Sequence, residues 1–478
     1  MRISKWTMAL AITGLWSAQN AAAQTISAAA AEYDAYYSQP ASPSDQAAPP
    51  APMGEAAAAA PAAEGGSCGC EPGGDDCGCP TCCNSHCGFE RCCALDCGDA
   101  DTVRLFDDIC GLECRGIKVY GWIAGGVTAN GHNPVDNFNG PMTFNDRTEG
   151  QLNQFYGVME KAVDNEGCGW GFGARVDVLY GTDHRLTMAR GLETHRDGTN
   201  KWNNDRFYGV ALPQAYFDVA YNDTTIRVGH MYTTAGYEVV VAPGNFFYSH
   251  TYTHQYGEPF THTGVMWMQR WNERLSFHAC AVTGWDNFTF PPGNTKGSFL
   301  GGATITSEDG KGALALVVTS GEEPSVTGFE PRNYFSLVYS RKFLCDRLTY
   351  VLQHDNGVQE DGVVSTVGAP VQDAEWYGLS QYFLYQLNCC WSAGMRVEWF
   401  RDDDGARVTG LGSGNAVAGQ SFPGNFWDVT WGLNWKPNDN LIIRPEVRYD
   451  WFDGAGNPYN DGTDTEQFTA AVDVIVQW

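Results

Sequence analysis

From Ile117 to Trp478 the chain is written in short segments whose apolar and polar residues alternate one by one. A period of two belongs to the extended strand, where successive side chains point to opposite faces. In 172–180, Phe172, Ala174, Val176, Val178 and Tyr180 share one face, while Arg175 and Asp177 take the other. In 427–435, Trp427, Val429, Trp431, Leu433 and Trp435 oppose Asp428, Thr430 and Asn434. In 443–451, Ile443, Val447, Tyr449 and Trp451 oppose Arg444, Glu446, Arg448 and Asp450. About sixteen such strands are predicted, at 117–128, 152–163, 170–180, 207–221, 224–232, 262–270, 274–285, 298–307, 311–319, 332–340, 346–354, 374–386, 391–401, 425–435, 440–451 and 466–478. Most are close to the ~9–11 residues that cross a bilayer as tilted strands.

Alternation alone also fits a soluble sandwich, so the connections decide. Long ones (129–151, 181–206, 233–261, 286–297, 320–331, 355–373, 402–424 and 452–465) take turns with short ones such as Asn222-Asp223, Glu308-Asp309-Gly310 and 436–439. This is the outer-membrane pattern of long outer loops and short periplasmic turns. The predicted fold is all-β, a transmembrane antiparallel up-and-down β-barrel of about 16 strands with a disordered, Cys-rich N-terminal extension. An even strand count puts both termini on the periplasmic side. No later stretch approaches ~18 apolar residues, so a membrane helix is not expected. The last strand carries Phe468, Ala470, Val472, Val474, Val476 and Trp478 on one face. An aromatic-terminated end of this kind suits recognition by the barrel assembly machinery, and the outward face suits outer-membrane lipid. Association with further copies of the chain is left open.

Ahead of the barrel the composition changes. Arg2 and Lys5, the apolar run from Trp6 to Trp16 and Ala21-Ala22-Ala23 read as a signal peptide over 1–23. Residues 24–67 are rich in Ala and Pro and read as a disordered linker. The segment 68–116 holds 12 of the 17 cysteines and reads as a Cys-rich periplasmic segment, with the barrel over 117–478. The chain carries 56 Asp and Glu against 29 Lys and Arg, a net charge of −27. That excludes nucleic acid and a basic, phosphate-selecting channel, since both need cationic excess.

Several short motifs, in order, resemble the putative β-barrel porin-2 (OmpL-like) family over about 117–478. They are Gly121-Trp122-Ile123-Ala124-Gly125-Gly126, Gln214-Ala215-Tyr216-Phe217-Asp218 leading to Arg227-Val228-Gly229, and Thr283-Gly284-Trp285-Asp286-Asn287. Arg396-Val397-Glu398-Trp399-Phe400 precedes Asp402-Asp403-Asp404-Gly405, and Arg444-Pro445-Glu446-Val447-Arg448-Tyr449-Asp450 is the strongest match. The resemblance implies an outer-membrane porin, without a defined substrate and without catalytic residues. The linker and the Cys-rich segment fall outside the family pattern.

Arg175, Asp177, Arg227, Arg396, Glu398, Arg444, Glu446, Arg448 and Asp450 oppose the apolar faces and are the pore-lining candidates. They read either as a charged wall that sets ion preference or as a structural network of lumen salt bridges. The connection 232–261 is too aromatic to extend into water, with Phe246-Phe247-Tyr248 and Tyr252, so it is expected to fold into the barrel and narrow it. His250, His254 and His262 lack the carboxylate partners of a metal site, and no metal or other cofactor is expected. Asp402-Asp403-Asp404-Gly405 and Asp461-Gly462-Thr463-Asp464 lack the distal Glu of a calcium loop and read as solvated acidic loops. No Gly-x-Ser-x-Gly, His-Glu-x-x-His or P-loop is present, and the protein is not expected to be an enzyme.

Cys68, Cys70, Cys77, Cys79, Cys82, Cys83, Cys87, Cys92, Cys93 and Cys97 lie in a segment too short and polar to fold by burial, and export favours disulfides over zinc there. The disulfide candidates are Cys68, Cys70, Cys77, Cys79, Cys168, Cys345, Cys389 and Cys390; the last four fall at predicted periplasmic turns, and only Cys280 lies mid-strand. They suggest an N-terminal module tied to the barrel rim or to neighbouring barrels. The leading expectation is passive diffusion of small hydrophilic solutes through a water-filled channel, with cation preference from the acidic excess. The alternative is a structural, disulfide-cross-linked cell-surface anchor.

Overall fold

A computed structural model describes residues 112 and 115–478, apart from 166–167, 203–206, 365–369 and 412–413. The expected signal peptide, the linker and nearly all of the Cys-rich segment therefore lie outside the described residues.

The strands are β1 Lys118–Asn130, β2 Gly150–Lys161, β3 Trp170–Gly181, β4 Gly209–Ala211, β5 Ala215–Tyr221, β6 Thr224–Tyr232, β7 Thr261–Asn272, β8 Leu275–Val282 and β9 Ser298–Thr306. They continue as β10 Gly312–Pro324, β11 Phe329–Phe343, β12 Leu348–Val363, β13 Gln372–Gln386, β14 Trp391–Asp402, β15 Gly424–Asn438, β16 Leu441–Gly454 and β17 Glu466–Gln477. Each pairs antiparallel with its neighbours in chain order, and β17 pairs back onto β1, so one sheet closes on itself. β4 and β5 occupy one position beside β3, through Leu179↔Ala211 and Val176↔Ala215. Pro213, which has no N–H to give a ladder, interrupts them. The wall thus has sixteen strand positions, and every strand expected from alternation has its counterpart.

The β1–β17 ladder that closes the sheet runs from Trp122↔Gln477 to Asn130↔Thr469, and the last residue extends it. Trp478 N donates to Gly121 O at 3.0 Å and Gly121 N to Trp478 O at 3.1 Å. A side chain at position 121 would strike the Tyr156 carbonyl and meet the Trp478 ring at 2.9 Å, so only glycine fits the seam.

The faces are inverted relative to a soluble protein. On β3, Trp170, Phe172, Val176 and Val178 point outward and are 45–66% exposed, while Arg175 and Asp177 are buried inside. Aromatic residues mark two outward levels. Trp391 stacks on Trp435 near the short turns, at 5.5 Å between ring centres. Trp399, Trp427 and Trp451 sit together near the long loops, with Trp427 and Trp451 stacked at 5.7 Å. Along β14 the two levels are about 26 Å apart at ~3.3 Å per residue, or about 20 Å along the axis of a tilted wall. That is the scale of a hydrocarbon band flanked by aromatic girdles.

Two expected long loops are shorter than predicted. β10 runs to Pro324 and β11 starts at Phe329, leaving a tight turn where 320–331 was expected to be loop; β12 likewise extends to Val363. Alternation fades there because both faces of a strand meet water beyond the bilayer, while backbone pairing continues.

Candidate functional site: a loop folded into the barrel

Residues 233–260 join β6 to β7 and turn into the barrel as expected. Local structure is set by few residues. The Asn245 side chain accepts Val239 N–H at 2.9 Å and donates to Val239 O at 2.6 Å and Val241 O at 3.1 Å, clamping one bend around Pro243. A single wide helical turn spans Thr253–Gly257. Tyr237, Phe246, Phe247, Tyr248, Tyr252 and Tyr256 are all buried. Apolar burial supplies the driving force, but the loop's backbone polar groups also leave water and need partners.

The wall supplies them through charged side chains. Glu446 accepts Tyr248 N–H at 2.9 Å and Ser249 N–H at 3.1 Å. Glu398 accepts Tyr252 N–H at 2.6 Å, Thr253 N–H at 2.7 Å and the Thr253 hydroxyl at 2.6 Å. Arg396 donates to Ser249 O at 2.6 Å, Arg448 to His250 O at 2.6 Å, and Arg444 to Ala242 O and Asn245 O at 2.9 and 2.6 Å. Asp450 accepts the Tyr252 hydroxyl at 2.9 Å. Opposite these, Gln353 and Ser336 take Tyr237 N–H and Gly236 N–H.

The guanidinium groups are in turn matched by carboxylates. Arg396 meets Glu238 at 2.9 Å, Arg444 meets Asp473 at 2.6 Å, and Arg448 meets Asp450 at 2.6 Å. Glu238 belongs to the loop itself, and also accepts from Thr251 N and Tyr382 Oη, with His250 Nδ1 at 3.1 Å. Burial acts to raise its pKa, but Arg396 and then the two neighbouring histidines outweigh that and hold it well below the usual carboxylate range. His254 stacks on His250 with ring centres 4.9 Å apart, and Phe144 stacks on His250 at 3.7 Å. Burial, then His250, pushes His254 down to about 3, and burial lowers His250 in spite of Glu238. Burial, with Asp355 and Glu238 adding to it, pushes Glu258 well above the carboxylate range; its carboxyl lies 2.6 Å from His254 Nδ1.

All nine charged candidates point inward, and each is at most 6% exposed, so they are covered rather than open to a channel. Six of them (Arg396, Glu398, Arg444, Glu446, Arg448 and Asp450) bond to the loop directly. Arg175 and Asp177 pair with each other at 2.7 Å, and Asp177 accepts the Tyr156 hydroxyl, which touches that of Tyr232. Arg227 pairs with Asp218 at 2.9 Å and lies over the Tyr216 ring, apart from the loop.

The sequence reading missed the loop's own acids, Glu238 and Glu258, and the glycines beneath it. A side chain at Gly126 would meet the Tyr248 ring at 2.8 Å, and side chains at Gly378 and Gly394 would run into Thr253 and Phe246. Inward-parity glycines on separate strands are the signal that a solid body presses on the wall there.

Other candidates take quieter roles. His262 bonds to Gly284 O, away from the histidine stack. Asp402 is not solvated as expected; its carboxylate is buried and accepts the N–H groups of Ala406, Arg407 and Val408. Asp461 ties loop to loop through Val135 N and Asp136 N. Cys345 and Cys390 are disulfide-bonded. Cys168 and Cys389, expected to be bonded as well, are free exposed thiols: they stand in different turns, β2–β3 and β13–β14, and the neighbour of Cys389, Cys390, is already bonded; Cys280 is free and buried. Cys68, Cys70, Cys77 and Cys79 lie outside the described residues.

The family described as putative beta-barrel porin-2, OmpL-like, matches residues 116–478. No curated protein sequence matches the chain. Among solved structures, the outer membrane channel DcaP of Acinetobacter baumannii is similar with a TM-score of 0.50 at 11% identity, over 76% of this chain and 97% of that one. The anion-selective porin from Comamonas acidovorans has a TM-score of 0.48 at 7% identity, over 76% and 99%. OmpT of Vibrio cholerae has 0.46 at 11%, over 76% and 99%.

Proposed function

We propose, from the premise that this chain belongs to the putative β-barrel porin-2 (OmpL-like) family, that its barrel is an outer-membrane channel for passive diffusion of small hydrophilic solutes. The observation that carries this is the closed, inverted wall with an interior loop pinned to it. A hydrophobic outer band with a charged interior serves a membrane and an aqueous path, and a fixed internal loop narrows such a path. Seven of the nine charged wall residues are neutralised in ion pairs, and the other two, Glu398 and Glu446, accept N–H groups of the loop, so the nine act mainly in holding wall and loop together.

The acidic excess, −27 over the chain, favours cations at the mouths. The rim with short turns faces the periplasm, residues 1–23 direct export, and the end at Trp478 engages the assembly machinery. No cofactor takes part. Purified protein reconstituted in planar bilayers should give steady ohmic steps, with a reversal potential on the cation side in a KCl gradient. Silence would remove the channel reading, and an anion-side potential the selectivity. A structural anchor is favoured by one observation, the bonded rim cysteines; reductant-sensitive multimers together with silent bilayers would support it.

A further inference from the structure

Arg175, Arg227, Arg396, Arg444 and Arg448 each meet a carboxylate inside the barrel. Two arginines toward the long-loop end are built differently. Arg332 has inward parity on β11, and Arg407 lies in the connection from β14 to β15. Both are half-buried. Arg332 Nε donates to Gln359 Oε1 at 2.6 Å, and Arg407 Nε donates to the loop carbonyl Tyr256 O at 2.7 Å. Among the described residues neither makes an ion pair, and the terminal nitrogens of both guanidinium forks are left without a hydrogen-bond partner.

Buried rings hold the two forks in place. Arg332 lies over Trp285 at 4.8 Å, and Arg407 lies over Trp376 at 4.8 Å and over Trp285 at 5.7 Å. Sharing the Trp285 ring keeps the two charges within about 11 Å of each other. The rings are themselves fixed: Trp285 Nε1 donates to Thr319 Oγ1 at 3.2 Å, and Trp376 Nε1 donates to the loop carbonyl Gly257 O at 2.8 Å. A guanidinium stacked on a ring keeps its donor edge free. The acids around the pair are turned to other donors. Glu323 accepts Trp285 N–H, Asp286 accepts Phe260 and Thr261 N–H, and Asp402 accepts the N–H groups of Ala406, Arg407 and Val408. Burial, with Arg332 adding to it, pushes Arg407 down to about 10, so it keeps its charge at neutral pH.

We propose that Arg332 and Arg407 form a binding site, beside the end of the internal loop, for the oxyanion group of a small organic solute, a carboxylate or a phosphate. The proposal rests on the channel reading above and names a class of solute for it. Planar forks with free paired N–H groups match the oxygens of such a group. The net charge of −27 does not oppose this. Salt screens charges at the mouths over about 8–10 Å, so the field at an interior pair is set by its neighbours.

The full-length protein in planar bilayers tests it. Current in plain KCl is recorded first, and silence there would remove the channel reading and this one with it. Sodium succinate and inorganic phosphate, added separately to the conducting channel, should each reduce the current with saturating dose dependence, while glycerol should not. The anion that acts at the lower concentration identifies the group preferred. In the double variant Arg332→Gln/Arg407→Gln the half-blocking concentration should rise by about tenfold or more, as the charge-assisted hydrogen bonds are lost. Should that variant fail to insert, Arg407→Lys keeps the charge, loses the fork and should still weaken the block. A conducting channel on which neither anion acts, equal reduction by glycerol, or block unaltered in the variant that inserts would each overturn the proposal while leaving the channel reading intact.

Discussion

The inner faces of β8–β10 and of β14–β17 belong to one barrel but are built from different chemistry. Up to Thr319 the first presents His278, Cys280, Val282, Ser298, Leu300, Gly302, Thr304, Ala315 and Val317, with no carboxylate or guanidinium among them. The second presents Arg396, Glu398, Asp428, Arg444, Glu446, Arg448, Asp450 and Asp473, all buried. The loop lies on the second, and touches the first through a contact such as Thr234 Oγ1 with His278 Nε2 at 2.9 Å. Charge inside this barrel therefore follows the loop. It sits where peptide groups removed from water need strong partners, and a charged acceptor satisfies several N–H groups at once.

The comparison breaks most visibly at Arg396. Replacing it with Met leaves Glu238 without its guanidinium partner, leaves Asp428 to Arg448 alone and frees Ser249 O. Removing one member of a buried charge pair costs about 3–5 kcal/mol. Arg396→Met should lower stability to urea in detergent by that amount and raise single-channel conductance as the loop lifts. Unchanged conductance would mean the loop does not narrow the path. Gly394→Leu tests the same contact without touching a charge, by driving a side chain into Phe246. Overpacking of this kind costs about 1–3 kcal/mol, and the loop should become accessible to protease while the barrel still resists heat.

The strands were legible because pairing and burial both act at a period of two, and each segment states its own faces. The inward turn of the loop was legible from its aromatics. The ties were not. Thr253 N meets Glu398 across 145 residues of sequence, and Tyr248 N meets Glu446 across 198. Such contacts join a side chain to a peptide N–H, which every residue but proline has, so no motif marks the loop end. Glu258 was passed over because a loop carboxylate is ordinarily solvated. Here the barrel buries it beside His254, where each group's neutral form suits the other.

That pairing gives a pH signature. Glu258 is raised in the folded loop, so a lifted loop, in which it ionises above about pH 4.5, gains as pH rises. The histidines are lowered, so a lifted loop, in which they take protons below about pH 6.5, gains as pH falls. Each acts by about tenfold per pH unit in the loop equilibrium. The native loop should thus be most firmly seated near pH 6.5, by conductance or protease accessibility. Glu258→Gln keeps the neutral shape, so its alkaline limb should vanish while the acid limb steepens. An alkaline limb that survives the substitution would show that another group controls the loop.

The smallest effect is expected outside both faces. Lys296 pairs with Glu322 at the long-loop end, where the lysine is 70% exposed. Water and salt already screen that pair, and such bridges are worth about 0–1 kcal/mol. Lys296→Ala should leave urea stability within that range and the loop's pH profile unaltered. Set against Arg396→Met, it measures how much of an ion pair's effect comes from burial beneath the loop rather than from charge itself. A loss comparable to that of Arg396→Met would break the distinction between the two settings.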